Sequence, residues 1–207
     1  MDVSSLKAAM KSISKLMNKN RDYLTRLDQQ NGDGDLGISM SCGYQAVSKF
    51  FNETDETDMG VVMMKAALVF NDAAPSSLGT ITSVAMMGMS QSLEGHTDVN
   101  LHEIAIAMKN GIDMIGEVAG SKPGEKTILD ALCPGVQALL DNCACEDMAI
   151  AFQAASRAAQ IGSERTREMR AVHGRAVYYG DKSIGILDGG SVVGSLIFEA
   201  LSICCSK

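Results

Sequence analysis

Apolar side chains recur every three or four residues along almost the whole of this chain, and that period commits it to helices. Leu6, Met10, Ile13, Leu16 and Met17 set the first stripe, and Tyr23, Leu24 and Leu27 extend it up to an aspartate-rich loop. A second helix is predicted after Gly37 to about residue 51. The acidic linker 52–58 then offers Thr57 and Asp58 as caps for a third, which reaches about residue 72. Pro75-Ser76-Ser77 breaks the chain, and a fourth helix starts at Ser77 or Thr80 and runs to about residue 93. After the loop 94–100 a fifth covers 101 to about 118, and the Gly/Pro turn 120–127 precedes a sixth through about residue 140. Glu146 opens a seventh that continues past Ala159 towards Met169, and 191–204 forms the last. Only residues 175–179, inside the irregular stretch 174–190, suggest a short strand.

Composition agrees with the period. Ala, Leu, Ile and Met are plentiful, aromatic residues make up 4% and Trp is absent, which favours helix over strand. About eight helices with no flexible linker between them predict an all-α fold and one domain spanning residues 1–207. The fourteen methionines, such as Met59, Met63 and Met64 or Met86, Met87 and Met89, fall on apolar stripes and are expected to fill the core.

Charge and cysteine usage remove several functions. The net charge is −7 and no basic run exceeds a pair, so neither nucleic acid nor an anionic membrane is an expected partner. Six cysteines lack the spacing of a zinc ribbon and are expected to be reduced thiols. The first residues carry no signal pattern and no apolar run is long enough to span a bilayer, which predicts a cytoplasmic protein.

The strongest chemical signal is the loop in which Asp28, Asp33 and Asp35 fall within eight residues, interleaved with Gly32, Gly34 and Gly37. Carboxylates so close repel one another unless a cation lies between them, and the glycines permit the tight backbone that would bring them together. A hard divalent ion is the expected occupant, and with it phosphate chemistry. A calcium loop would need Gly where Leu36 stands and Glu where Cys42 stands, so that alternative fails; a solvated acidic turn stays open. Phosphate in a helical domain is readily bound at helix N-termini, and here the candidates are Gly37 to Ser39 and the pair Ser76-Ser77. No Walker-type or kinase catalytic-loop motif occurs.

Three ordered segments resemble a known family. Leu27-Asp28-x3-Gly32-Asp33-Gly34-Asp35-x-Gly37, then Glu125-Lys126-Thr127-x-Leu129-Asp130-Ala131-Leu132-x-Pro134, then Gly174-Arg175-Ala176-x-Tyr178-x-Gly180-x2-Ser183-Ile184-Gly185-x2-Asp188 are similar to signatures of the nucleotide-binding L subunit or domain of dihydroxyacetone kinases. The resemblance implies eight antiparallel helices in a closed bundle or barrel, with ADP or ATP and two Mg2+ ions held in loops at one end. It assigns Asp28, Asp33 and Asp35 to the metals. Leu36, Gly37, Ile38, Ser39, Ser76 and Ser77 match phosphate contacts, Gly120 and Ile128 flank the base, and Arg175, Asp188, Gly189 and Gly190 complete the nucleotide site. No protein nucleophile is implied, and His96, His102 and His173 are read as ordinary surface or loop residues.

The chain departs from the family pattern at the phosphate end, with Leu36 where His is usual, Ser39 where Asn is usual, and Ala74-Pro75 in place of a glycine pair. The implied role is a subunit whose bound nucleotide relays a phosphoryl group to dihydroxyacetone on a substrate-binding kinase subunit, recharged by a phosphocarrier protein of the phosphotransferase system. An ATP-dependent kinase subunit for another small sugar or ketose, a nucleotide-binding regulator without transfer, and association as a homodimer stay open.

Overall fold

The computed structural model describes residues 1–145 and 147–206, which form helices and no strand beyond an isolated antiparallel bridge between Asp2 and Asp98. The predicted start of the seventh helix at Glu146 lies outside the described residues. The elements are α1 (Val3–Lys19), α2 (Arg21–Asp28), α3 (Leu36–Glu53), α4 (Met59–Ala73), α5 (Ser77–Leu93), α6 (Leu101–Ala119), α7 (Leu129–Asp141), α8 (Met148–Arg165) and α9 (Gly189–Cys205). The short α2 is the predicted extension of the first helix, so the other eight match the expected number.

Local chemistry sets the boundaries. Asp58, Ser76 and Asp188 each accept a hydrogen bond from the third backbone N–H beyond them, at Val61, Gly79 and Ser191. Asn100 and Glu103 cap α6 reciprocally, and α6 ends on Gly120 in the left-handed region (φ 64°). Each such cap contributes about 1 kcal/mol. Because Asp188 is the cap, α9 begins before the predicted Ser191.

Packing closes the helices into a ring. α3 packs on α4, α4 on α5, α5 on α6, α6 on α7, α7 on α8 and α8 on α9, and α1 lies between α9 and α3. In an up-and-down ring, alternate connections fall at the same end. One end therefore holds the α3–α4 and α5–α6 connections, tied by the Met59 N–H to His96 O bond and by the Gly95 N–H to Asp58 carboxylate bond. The N-terminal ammonium joins them through Asp98. The other end gathers the α2–α3, α4–α5, α6–α7 and α8–α9 connections.

Tyr44, Phe51, Phe70, Phe152 and Phe198 are fully buried, with Tyr44 edge-on to Phe70 at 4.9 Å. Met10, Met63, Met86, Met89 and Met108 line an apolar cavity of about 110 Å³ within the ring. Most methionines thus do fill the core, but Met64 is 37% exposed because α4 turns it outward.

Pro134 inside α7 has no N–H for the carbonyl of Asp130, and Gly162 of α8 lies against that same carbonyl. The missing side chain at Gly162 is what lets α7 and α8 approach there. Residues 175–179 are not a strand. They belong to tight 3₁₀ turns, Arg175–Ser183, in which Gly180 (φ 53°) reverses the chain, and a helical ring offers no strand edge to pair with.

Candidate functional site

The end that gathers four connections contains an open cleft of about 840 Å³, and each of those connections contributes to its wall. The α2–α3 loop brings the aspartates together. Gly32 leaves room for the Asp28 carboxylate, and Gly34, with φ 80°, donates its N–H to Asp28 Oδ2 at 2.7 Å. Oxygens of Asp28, Asp33 and Asp35 then lie within 4.8 Å of one another. Asp35 occupies the N-cap position of α3 without using its side chain as a cap, so the carboxylate faces its neighbours instead. Three hard oxygen donors converging at a helix start fit a divalent ion such as Mg2+.

The electrostatics show what such an ion would relieve. Burial raises the Asp35 carboxyl above its ordinary range, and the charges of Asp33 and Asp28 push it further. Arg175 reaches Asp33 Oδ2 at 2.6 Å, yet its side chain is 68% exposed. A pair so open to water contributes about 0–1 kcal/mol, a weak competitor for a divalent cation.

Across the α4–α5 turn, Ser76 caps α5 and its Oγ lies 2.5 Å from Ser39 Oγ of α3. Two helix N-termini, those of α3 and α5, are thereby tied side by side at the cleft, an arrangement suited to anionic oxygens. The α6–α7 connection is folded by Asp130, whose carboxylate accepts from the N–H groups of Gly124 and Thr127. Glu125 meets His173 Nε2 at 2.6 Å, and that hydrogen bond holds the Glu125 carboxyl below its usual range.

At the start of α9, burial pushes Asp188 up to about 7, against the hydrogen bond from Ser191 N–H and the nearby Lys126 ammonium, which act the other way. In the unfolded chain the same carboxyl titrates near its ordinary 3.8. Between those values the folded state keeps a proton the unfolded state has released. Asp188 therefore supports folding most below about pH 4, and its contribution falls as pH rises through about 7. Asp35, raised in the same direction, adds to this slope. The ligand-free protein should melt at a lower temperature at about pH 8 than at about pH 5, and Asp188→Asn, which keeps a capping side chain, should flatten that fall. An unchanged slope in the variant would assign the pH dependence to other groups.

The cleft brings together Asp28, Asp33, Asp35, Leu36, Ser76, Ser77, Ile128, Arg175, Asp188, Gly189 and Gly190. Gly37, Ile38, Ser39 and Gly120 are not on its wall. Gly37 and Ser39 are buried behind it, Ile38 is 46% exposed on the outside of α3, and Gly120 lies between the lining residues Ala119 and Ser121. His173, on the α8–α9 connection, lines the cleft with a carboxylate partner. Lys126 of the second motif, outside the residues that the resemblance assigns to the site, also lines it and is buried.

Fold and cleft define a class, a closed ring of helices with a carboxylate-lined cleft at one end. The DAK2 domain family matches residues 30–202, and the chain belongs to that family. It is 31% identical over 193 residues to the ADP-binding subunit DhaL of a PEP-dependent dihydroxyacetone kinase 2 from Listeria innocua, covering 92% of this chain and 89% of that one. The corresponding Escherichia coli subunit is 25% identical over 187 residues, covering 90% and 89%. Among solved structures, the dihydroxyacetone kinase of C. freundii in complex with AMP-PNP and Mg2+ superposes with a TM-score of 0.75 at 21% identity, over 95% of this chain. The chain spans 33% of that longer kinase chain, a likeness of fold.

Proposed function

We propose that this chain is the nucleotide-binding subunit of a dihydroxyacetone kinase, holding a magnesium-bound ADP or ATP whose terminal phosphoryl group passes to dihydroxyacetone on a substrate-binding partner. The observation that carries this reading is the convergence of Asp28, Asp33 and Asp35 in the same cleft as the N-terminus of α5. Bound magnesium would offset the carboxylates gathered in the cleft, and phosphoryl transfer depends chiefly on such clamping and charge neutralisation.

The three aspartates hold two Mg2+ ions. The backbone of Leu36, Gly37, Ile38 and Ser39 and the hydroxyls of Ser76 and Ser77 receive phosphate oxygens, Gly120 and Ile128 flank the base, and Arg175 with Asp188, Gly189 and Gly190 closes the site. The names of its relatives as ADP-binding subunits of PEP-dependent kinases support a retained nucleotide, recharged in the cytoplasm by a phosphocarrier of the phosphotransferase system.

The test is transfer itself. Chain, magnesium, γ-labelled ATP, dihydroxyacetone and a substrate-binding subunit should yield labelled dihydroxyacetone phosphate and ADP, and a labelled phosphorylated carrier with bound ADP should replace ATP as the donor. Relatives named L-erythrulose kinase, 28% and 29% identical, motivate a parallel arm with L-erythrulose. Label on L-erythrulose alone would reassign the acceptor. Nucleotide binding without product in either arm would leave a regulator that does not transfer phosphate.

A further inference from the structure

Lys126 combines two unfavourable features in one residue. Its side chain is buried, at 3% exposure, and its backbone is left-handed with φ 62°, which no other non-glycine among the described residues shares. A left-handed non-glycine costs about 1 kcal/mol or more, and burying an ammonium costs more still unless its protons are satisfied. Such a residue persists where its surroundings determine it.

Its Nζ donates to the carbonyl oxygens of Thr166 and Ile186. Those two carbonyls stand at opposite ends of the connection between α8 and α9. The ends are themselves drawn together, because Gly185 N–H donates to Arg167 O at 2.7 Å and Asp188 N–H donates to Thr166 Oγ1 at 3.1 Å. Residues 168–184 thus form a loop with a closed neck, and Lys126 fastens both sides of that neck to the α6–α7 connection. Beyond the neck, the loop carries His173 on Glu125 and Arg175 on Asp33.

We propose that Lys126 is a positioning residue for the cleft: by clamping the neck of the α8–α9 loop it sets where Arg175 and the start of α9 stand relative to the aspartates. It acts through Arg175, not by touching the nucleotide, and the proposal rests on the reading of the cleft as a nucleotide site. A buried side chain that orients others in this way commonly changes affinity by about 10-fold to 100-fold when removed.

The experiment is a double-mutant cycle read by calorimetric titration with Mg-ADP. Lys126→Met should weaken binding about 10-fold, Arg175→Ala should weaken it too, and the double variant should bind no worse than the poorer single. Lys126→Arg, which keeps donors for both carbonyls, should recover most of the affinity. Hydrogen exchange of the ligand-free Lys126→Met protein should quicken in residues 168–184 and stay unchanged in α1 and α3. If Lys126→Met does not fold, Lys126→Gln, which retains an amide donor, replaces it in the cycle. Losses that add in the double variant, or an unaltered Kd in Lys126→Met, would overturn the proposal while leaving the nucleotide reading intact. A wild-type chain that binds no Mg-ADP would overturn both.

Discussion

Asp33→Ala is expected to abolish the thermal stabilisation that Mg-ADP gives the wild-type chain, while leaving the ligand-free melting temperature within about 2 °C of wild type. At a ligand concentration of about 100 times Kd, binding to the folded state alone adds about 2.7 kcal/mol. For a chain of this length that is roughly 5–11 °C in Tm. The residue can be removed cleanly because it sits exposed on a loop and its ion pair is the solvent-screened one with Arg175. Its loss also takes a like charge away from Asp35, whose carboxyl it pushes up, and that relief offsets the lost pair. Asp28→Ala is a different experiment, since Asp28 Oδ2 accepts the Gly34 N–H and its removal loosens the loop as well. Differential scanning fluorimetry with magnesium alone, ADP alone and both together separates the contributions. A full Mg-ADP shift in Asp33→Ala would put the ion elsewhere and defeat the metal assignment.

What the sequence makes legible is what neighbouring residues decide. The stripe of α1, the Asp58 cap of α4 and the Ser77 start of α5 are each written within one or two turns, so period and caps recover them. The aspartate loop is legible for the same reason, its ligands and the glycines that fold it lying within eight residues. Contacts that depend on ring closure are not. His173 meets Glu125 across 48 positions and Lys126 reaches Ile186 across 60, and neither pairing has a local signature. The apparent strand at 175–179 fails for a related reason. Alternation can only become a strand beside another edge, and the ring supplies helices on every side.

The second large effect lies in the scaffold beneath the aspartates. Gly37→Ala should destabilise the protein by about 3 kcal/mol, whereas Gly116→Ala should stabilise it by about 0.5–1 kcal/mol. Both are helical glycines, so intrinsic propensity favours alanine at each by the same amount. They differ in what a Cβ would meet. At Gly37 it would fall inside contact distance of the Arg21 carbonyl oxygen and lie 2.9 Å from the Thr25 backbone nitrogen, groups of α2 that cannot rotate away. At Gly116 the nearest atom is Ser121 O, 3.6 Å off, which is ordinary contact. To admit the methyl group α3 must move off α2, and the two helices are the arms that hold Asp35 and Asp28, so the same displacement should weaken Mg-ADP binding. Urea unfolding checks both variants: the midpoint should fall for Gly37→Ala and rise for Gly116→Ala with the slope unchanged. A Gly37→Ala protein with wild-type midpoint and wild-type Mg-ADP affinity would mean that α2 yields at no cost, and the close packing of α3 on α2 would not set the geometry of the aspartates.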